Sequence, residues 1–358
     1  MIIGEQNESS RNVPAGGLKQ RKYRSVVSRA PLRVSFAGGG SDNDLFMRNG
    51  TGAVLSGALN TFAHARVSGG LTEEASYGTD DNLLDSSGLT NSGTLLHECA
   101  WAWFRDEYKI LTKTGIRIST ASDVPRGSGL GASSALTVAI LGALYRYFSI
   151  PITRGKLAKN AYFVERSVAG VAGGYQDHYA ASFGGLNYLQ FHSPTNITVE
   201  PLSLSCELQA ALESRITLIF SGSTRNSEDI INWQNSNLVN EDPNNYRVLR
   251  EMAELASKCR DSLIIGDFGA FSDQIAAAAA AKRDSSPVSY NDDLDALCKR
   301  AVDAGADVCK VSGAGGGGFV MAISKPHLKS AVDRALEESG VQPQNVTFDN
   351  SGLITWHE

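Results

Sequence analysis

Long apolar runs are missing from this sequence. Nowhere does it approach the roughly 20 consecutive apolar residues that a membrane-spanning helix needs, so none is expected. Cysteine is scarce and scattered: Cys99, Cys206, Cys259, Cys298 and Cys309 form no CxxC pair and no zinc-ligand spacing. An odd, dispersed set of this kind predicts reduced, mostly buried thiols in a cytoplasmic protein. Positive charge is not in excess either. The 33 Lys and Arg stand against 38 Asp and Glu, for a net charge of −5 and a pI near 5.8. That balance excludes a nucleic-acid or polybasic membrane partner and leaves room for a local basic pocket. The opening stretch, MIIGEQNESSRNVPAGGLKQRKYR, has Glu, Asn, Ser and Arg where a signal peptide would carry an apolar core. Residues 1 to 22 read as a flexible tail without chemistry.

Glycine, by contrast, is abundant, at 36 of 358 residues, and it is clustered. A chain of this length is past the size at which one core usually keeps growing, so two packed domains are expected. Strand and helix patterns alternate, which points to an α/β or α+β layered architecture. The pattern predicts strands over Ser25 to Phe36, Ala53 to Val67 and Gly115 to Ser122, with a helix over Thr94 to Tyr108. Leu136 to Phe148 is apolar on nearly every side and reads as a buried helix. Ile152 to Val168 reads as a second helix, capped by Thr153, and Leu186 to Phe191 as a strand. After about residue 205 the texture changes. A short strand over Ile216 to Phe220 precedes long helices through Ala281, whose alanine run has high helix propensity. A helix over Asp292 to Ala304, a glycine turn, a strand over Phe319 to Ser324, a helix over Lys329 to Ser339 and strand-like residues from Val346 to Trp356 follow. These readings give a tail over 1–22, one domain over 23–205 and another over 206–358.

Chemistry is concentrated in PRGSGLGASSA, Pro125 to Ala135, between a predicted strand and the buried helix. Gly127, Gly129 and Gly131 remove the Cβ atoms that would keep a phosphate from the backbone. The helix behind them offers unpaired N–H groups and the positive end of its dipole. Ser128, Ser133 and Ser134 add hydroxyls that donate to phosphate or coordinate Mg²⁺. The loop is no Walker A motif, since no Gly-Lys-Ser/Thr ends it. It satisfies the G-x-G-x-x-A form of the dinucleotide fingerprint at Gly127, Gly129 and Ala132. That fingerprint calls for an acidic residue about 20 positions on, yet Phe148 to Lys159 holds Arg154, Lys156 and Lys159 and no Asp or Glu. A dinucleotide-binding oxidoreductase is disfavoured on that ground.

Two further glycine clusters, RAPLRVSFAGGGSD (Arg29 to Asp42) and KVSGAGGGGFV (Lys310 to Val320), each join a strand to a tight turn. With the loop between them, the three clusters resemble, in order and spacing, the motifs of the GHMP kinases (galactokinase, homoserine, mevalonate and phosphomevalonate kinases). The resemblance runs from about residue 24 to the C-terminus. It implies an α+β two-domain fold, with an N-terminal α/β domain carrying the phosphate loop and a ferredoxin-like C-terminal domain. It also implies ATP and Mg²⁺: Pro125, Gly127, Ser128, Gly129, Leu130, Gly131, Ala132, Ser133 and Ser134 around the phosphates, with Ser134 and Glu165 on the metal. Asp177, within GGYQDHYAASFGG, falls where many members place an aspartate beside the attacking hydroxyl, and Arg33 where an arginine lies near the reacting oxygens. An Asx-type cap on the helix after Asp177 is the plain structural reading, as a pairing with Arg166 is for Glu165; His178 reads as structural.

Within the family, the patterns SDVP-x-GSGLG-x-SS, GG-x-QD-x-YAA-x-FGG and Thr224-Arg225 are most similar to those of kinases acting on D-glycero-D-manno-heptose 7-phosphate. Such enzymes phosphorylate the anomeric hydroxyl for nucleotide-activated heptose used in surface glycans. By this resemblance Gly39, Gly40, Ser41, Asp42, Gly313 and Gly315 contact substrate, and Arg225 and Lys310 hold its phosphate. Gly39-Gly40 replaces the Glu-His of galactokinases, which speaks against galactose. The alternative within the class is a free sugar such as L-fucose phosphorylated at O1.

Overall fold

The computed structural model describes residues 25–69, 75–79, 94–111, 115–223, 230–232, 236 and 243–358; the expected N-terminal tail and Arg225 lie outside the described residues. The chain begins with strand β1 (Ser25–Ala37), a short helix α1 (Asp44–Met47), the long strand β2 (Gly52–Gly69), β3 (Ser76–Thr79), helix α2 (Leu95–Glu107) and β4 (Ile116–Ser122). Helices α3 (Ala132–Tyr147), α4 (Arg154–Phe163) and α5 (Gln176–Phe183) follow, then strands β5 (Leu186–Ser193) and β6 (Asn196–Pro201).

β2 pairs with β1 along its length. Its first residues, Gly52 to Gly57, take β5 on the other side, and its last, Ala63 to Gly69, take β4. One strand therefore serves two neighbours in succession, and β1 to β6 together make most of a seven-stranded sheet. Apolar residues of β1 such as Val26, Leu32, Val34 and Phe36 are fully buried. Helix α3 lies across β1 and β2, buried from Thr137 to Tyr145, as its all-round apolar sequence requires.

The second sheet is antiparallel. Helix α6 (Cys206–Glu213) leads into β7 (Ile216–Phe220), then come α7 (Pro243–Ile265), α8 (Phe268–Ser285), α9 (Asp292–Asp303), β8 (Ala306–Val311), β9 (Phe319–Ser324), α10 (Pro326–Glu337) and β10 (Pro343–Asn345). The order β10-β7-β9-β8 is the ferredoxin-like arrangement, with the third glycine cluster joining edge strand β8 to β9 as a hairpin. The last strand, β11 (Ile354–His357), leaves this unit and pairs with β1. A contiguous second domain running to residue 358 therefore has an exception at its end.

Three sequence readings change. Helix α3 starts at Ala132, four residues before its expected start at Leu136, because Gly131 at φ 75° supplies the left-handed N-cap. The expected single helix from Ile152 divides: Thr153 caps α4 by accepting from Lys156 N, but Val164–Val168 widens into a π-helical turn. Strand-like Val346 to Trp356 is mostly a turn, where Asp349 Oδ1 accepts from Ser351 N and Gly352 N, and only its end is strand. Of the five cysteines, only Cys259 and Cys298 are buried outright, and Cys206 is exposed.

Candidate active site

The loop after β4 is held open by backbone geometry. Gly127, Gly129 and Gly131 take φ of 73°, 77° and 75°, while Ser128 and Leu130 between them turn inward and are buried. β1 and β9 clamp it from two sides: Arg33 N donates to Leu130 O at 3.0 Å, and Phe319 N to Ser128 O at 2.8 Å. The second and third glycine clusters touch backbone to backbone, since a Cβ on Gly129 would sit 2.7 Å from Ser312 O and one on Gly313 2.6 Å from Gly129 O. Glycine is required at both positions for that approach. The first-turn N–H groups of α3 have no acceptor within the helix, so the loop presents them where an anion would bind.

Arg33 reaches this loop because β1 is irregular. The β1–β2 register shifts between Pro31 and Arg33, and such a bulge re-aims the side chain beside it. Arg33 Nη1 donates to Gly129 O and its Nε to Asp177 Oδ1, both at 2.7 Å. Asp177 stands in the first turn of α5, but Tyr175 is the N-cap position and no side chain caps it. The plain reading of Asp177 as an Asx-type cap is thereby corrected: its carboxylate turns away from the helix to Arg33 and to Gly131.

Glu165 lies on the π-helical turn and is fully buried. Its Oε1 accepts a short hydrogen bond from Ser133 Oγ, and its Oε2 accepts from Ser134 Oγ at 2.7 Å. Arg166 Nη1 is 3.3 Å from Oε1, and His178 Nε2 lies 2.6 Å from Oε2. Burial alone would raise the carboxyl pKa. Arg166, His178 and the Ser133 hydroxyl outweigh it and hold the group well below its ordinary value, so it is ionised at neutral pH. The expected pairing with Arg166 is present, then, as one member of a larger network. Ser133 is exposed, whereas Ser134 is buried and also receives Arg166 Nη2 at 3.2 Å.

The first glycine cluster is braced from within. Ser41 is fully buried and its hydroxyl is taken up by Gly38 O, Ala53 O and Ala53 N. Asp42, buried as well, accepts from Gly40 N, Gln176 N and Gln176 Nε2. Burial raises the Asp42 pKa against the lowering effect of the Gln176 amide, and nearby Asp177 adds to the rise. Gly174 must be glycine, because a Cβ there would lie 2.2 Å from Asp42 Oδ2. In this conformation Ser41 and Asp42 hold the loop to α5, so the expected direct substrate contacts from their side chains do not follow from the geometry. Gly39 faces Gln176 and Ser35, and Gly40 faces Leu249. Gly315 packs against Ser289.

Lys310 is buried and donates to Ser35 O and Phe36 O at 2.9 Å each. Burial pushes its pKa down to about 8; the Cys259 thiol opposes that and Arg33 adds to it. Its ammonium ties β8 to β1. One residue that the motifs do not mark is also here: Lys282, in the last turn of α8, makes a short hydrogen bond to Gly313 O. It follows an alanine run that reads only as helix, so no pattern singles it out.

An N–H-lined loop at a helix start, an Arg–Asp pair beside it and an ionised glutamate on two serines are groups that a phosphotransferase could use. The chain matches the model of the GHMP kinases N terminal domain over residues 95–185 and that of the GHMP kinases C terminal over residues 252–342. It is 31% identical over 346 residues to the D-glycero-alpha-D-manno-heptose 7-phosphate kinase of Campylobacter jejuni, covering 93% of this chain and 99% of that one. A crystal structure titled D-glycero-D-manno-heptose 1-phosphate kinase, from Bacteriodes thetaiotaomicron, superposes with a TM-score of 0.76 at 28% identity, covering 93% of this chain and 99% of the other. Lactococcus lactis galactokinase complexed with galactose shares the fold, with a TM-score of 0.71 at 16% identity over 94% of this chain and 95% of the other. The chain belongs to the GHMP kinase family and is an ATP-dependent sugar kinase. That assignment sets aside the dinucleotide oxidoreductase. Among the described residues, no helix is long and apolar enough to cross a membrane.

Proposed function

We propose that this kinase transfers the γ-phosphoryl group of ATP to the anomeric hydroxyl of D-glycero-D-manno-heptose 7-phosphate in the cytoplasm, giving the 1,7-bisphosphate for nucleotide-activated heptose and surface glycans. The observation that carries the reading is the Arg33–Asp177 ion pair set against Gly131 at the start of α3. The pair places a carboxylate oxygen beside the loop on which the phosphates would lie. The names of the two heptose relatives support a heptose phosphate acceptor, though they differ on the position of the phosphate.

In the step itself, Asp177 accepts the proton of the sugar hydroxyl as that oxygen attacks the γ-phosphorus in line. The new P–O bond forms as the bond to the β-phosphate oxygen breaks, and ADP leaves with that electron pair. Arg33 fixes the Asp177 carboxylate and adds positive charge beside the reacting oxygens. The loop amides and the α3 dipole hold the phosphates, so positioning and charge neutralisation do the work without a covalent enzyme intermediate.

Mg²⁺ fits the donor set. Among the described residues there is no cluster of three or more His, Cys, Asp and Glu, so a hard cation here would draw on Glu165, a serine hydroxyl and phosphate oxygens, as is usual beside nucleotides. Ser133 is the better serine for that role, being exposed where Ser134 is buried and bonded to Arg166. When bound, Mg²⁺ would neutralise charge on the β- and γ-phosphates. ATP turnover against a panel of sugars and sugar phosphates, with the position of the new phosphate fixed by phosphorus NMR, tests the reading. A heptose 7-phosphate converted to its 1,7-bisphosphate is expected; turnover of free sugars alone would remove the heptose phosphate.

A further inference from the structure

Positive charge collects where the three glycine clusters meet. Arg33 from the first donates to Gly129 of the second, and Gly129 touches Gly313 of the third, which accepts from Lys282. Lys310 anchors the strand leading into the third cluster onto β1. Three cations thus share one neighbourhood in which, among the described residues, the paired carboxylate is Asp177, whose partner is Arg33. Among the described residues neither Lys282 nor Lys310 has a carboxylate within ion-pair distance. Buried or half-buried charge of one sign without a counter-charge is costly, a cost that an anion bound beside it would offset.

The three cations are not equivalent. Arg33 is engaged by Asp177 and Gly129 O, and Lys310 is buried against two carbonyls. Lys282 is only half-buried, and one of its three N–H donors goes to Gly313 O, which leaves two. Burial together with Lys310 and Arg33 pushes the Lys282 pKa down to about 7. We infer that Lys282 is a ligand for phosphoryl oxygens, the cation with donors to spare in an anion subsite shared by the end of α8 and the third glycine loop. The identity of that phosphoryl group rests on the proposed function: it is either the γ-phosphoryl of ATP or the phosphate already on the acceptor sugar. A lysine that merely tethers the Gly313 loop would give stability and no phosphate recognition.

The test uses the full-length chain with Lys282→Met and Lys282→Arg. Removing a charge-assisted contact should weaken phosphoryl binding about tenfold to a hundredfold, and Arg should restore much of it. If the ligand is the γ-phosphoryl, Lys282→Met weakens ATP but not ADP in calorimetry and lowers kcat with every acceptor. If it is the acceptor's own phosphate, nucleotide affinities stay put and KM rises only for the phosphorylated sugar. Wild-type nucleotide affinities and KM values in Lys282→Met, with a lowered melting temperature alone, would overturn the inference. Should the wild-type protein turn over no sugar phosphate, the proposed acceptor falls but Lys282 is still decided. Inorganic phosphate as the calorimetric probe must then bind wild type and Lys282→Arg more tightly than Lys282→Met, and equal binding to all three refutes the role.

Discussion

The carboxylate of Asp177 rests against Gly131: a methyl group on that glycine would lie 3.2 Å from Asp177 Cγ and 3.3 Å from Oδ2. The N-cap of the phosphate loop's helix and the proposed base are therefore set by one contact, and Gly131 also carries a φ of 75°. Gly131→Ala should strain the cap and push Asp177 off line together. We expect a loss of about 1–2 kcal/mol in stability from the left-handed backbone and a fall in kcat on the order of a hundredfold from the misplaced carboxylate. Thermal melts and steady-state kinetics read the two effects separately; unchanged kcat would show that the contact does not position the base.

Asp177→Asn keeps an oxygen for Arg33 Nε but removes the basic carboxylate. Because the loop amides and not Asp177 hold the phosphates, kcat should fall by roughly 10²–10⁴ while KM for ATP hardly moves. Near-normal turnover would take Asp177 out of the proton transfer and leave it a partner that orients Arg33.

The glycine clusters made much of this site legible in advance, because a close approach between backbones demands glycine and leaves a mark in the sequence. Gly127, Gly129 and Gly131, the strand before them and the helix behind them could be read that way. What could not be read were contacts that depend on side-chain direction. Asp42 and Ser41 sit in a motif like any ligand-binding pair, yet burial turns both into loop braces. The π-helical turn that carries Glu165 inward leaves no signature in VERSV, and Ser133 differs from Ser134 only in the way each faces once Gly131 has started the helix. Lys282 is a lysine after six alanines, and nothing local shows that its end meets Gly313.

Glu165 should make the protein acid-sensitive. Its folded pKa is depressed below the ordinary 4.5, so its ionised form stabilises the fold above the unfolded value. That contribution is lost as pH falls through the lower, folded value. Melting temperature should therefore drop steeply below about pH 4 through this group. Glu165→Gln should flatten that acid limb and cost about 3–5 kcal/mol at neutral pH, since it leaves half-buried Arg166 without its counter-charge and buried His178 without its carboxylate partner. A Gln variant with the wild-type melting profile from pH 7 to 3 would refute the account.

Lys282 sets an expectation at the opposite end of the scale. In the free protein its pKa is depressed from 10.5 to about 7, so the neutral amine gains on the ammonium as pH rises through 7. Protonation of this group in the fold is disfavoured, and its unfavourable effect on stability lifts with rising pH until the unfolded value is passed. Phosphoryl oxygens bind the charged form, so affinity for ATP or for the phosphorylated acceptor should decline above pH 7. Arg33 and Lys310 face the same space, with Asp177 paired to Arg33. Lys310, at about 8, adds a second decline slightly higher that persists in any Lys282 variant. Lys282→Arg stays charged throughout, and should remove the first decline while leaving the second. Affinities measured by calorimetry from pH 6 to 9 on wild type and Lys282→Arg cancel the ligand's own ionisation in the ratio. A ratio that stays flat across that range would mean that the amine titrates without touching the anion.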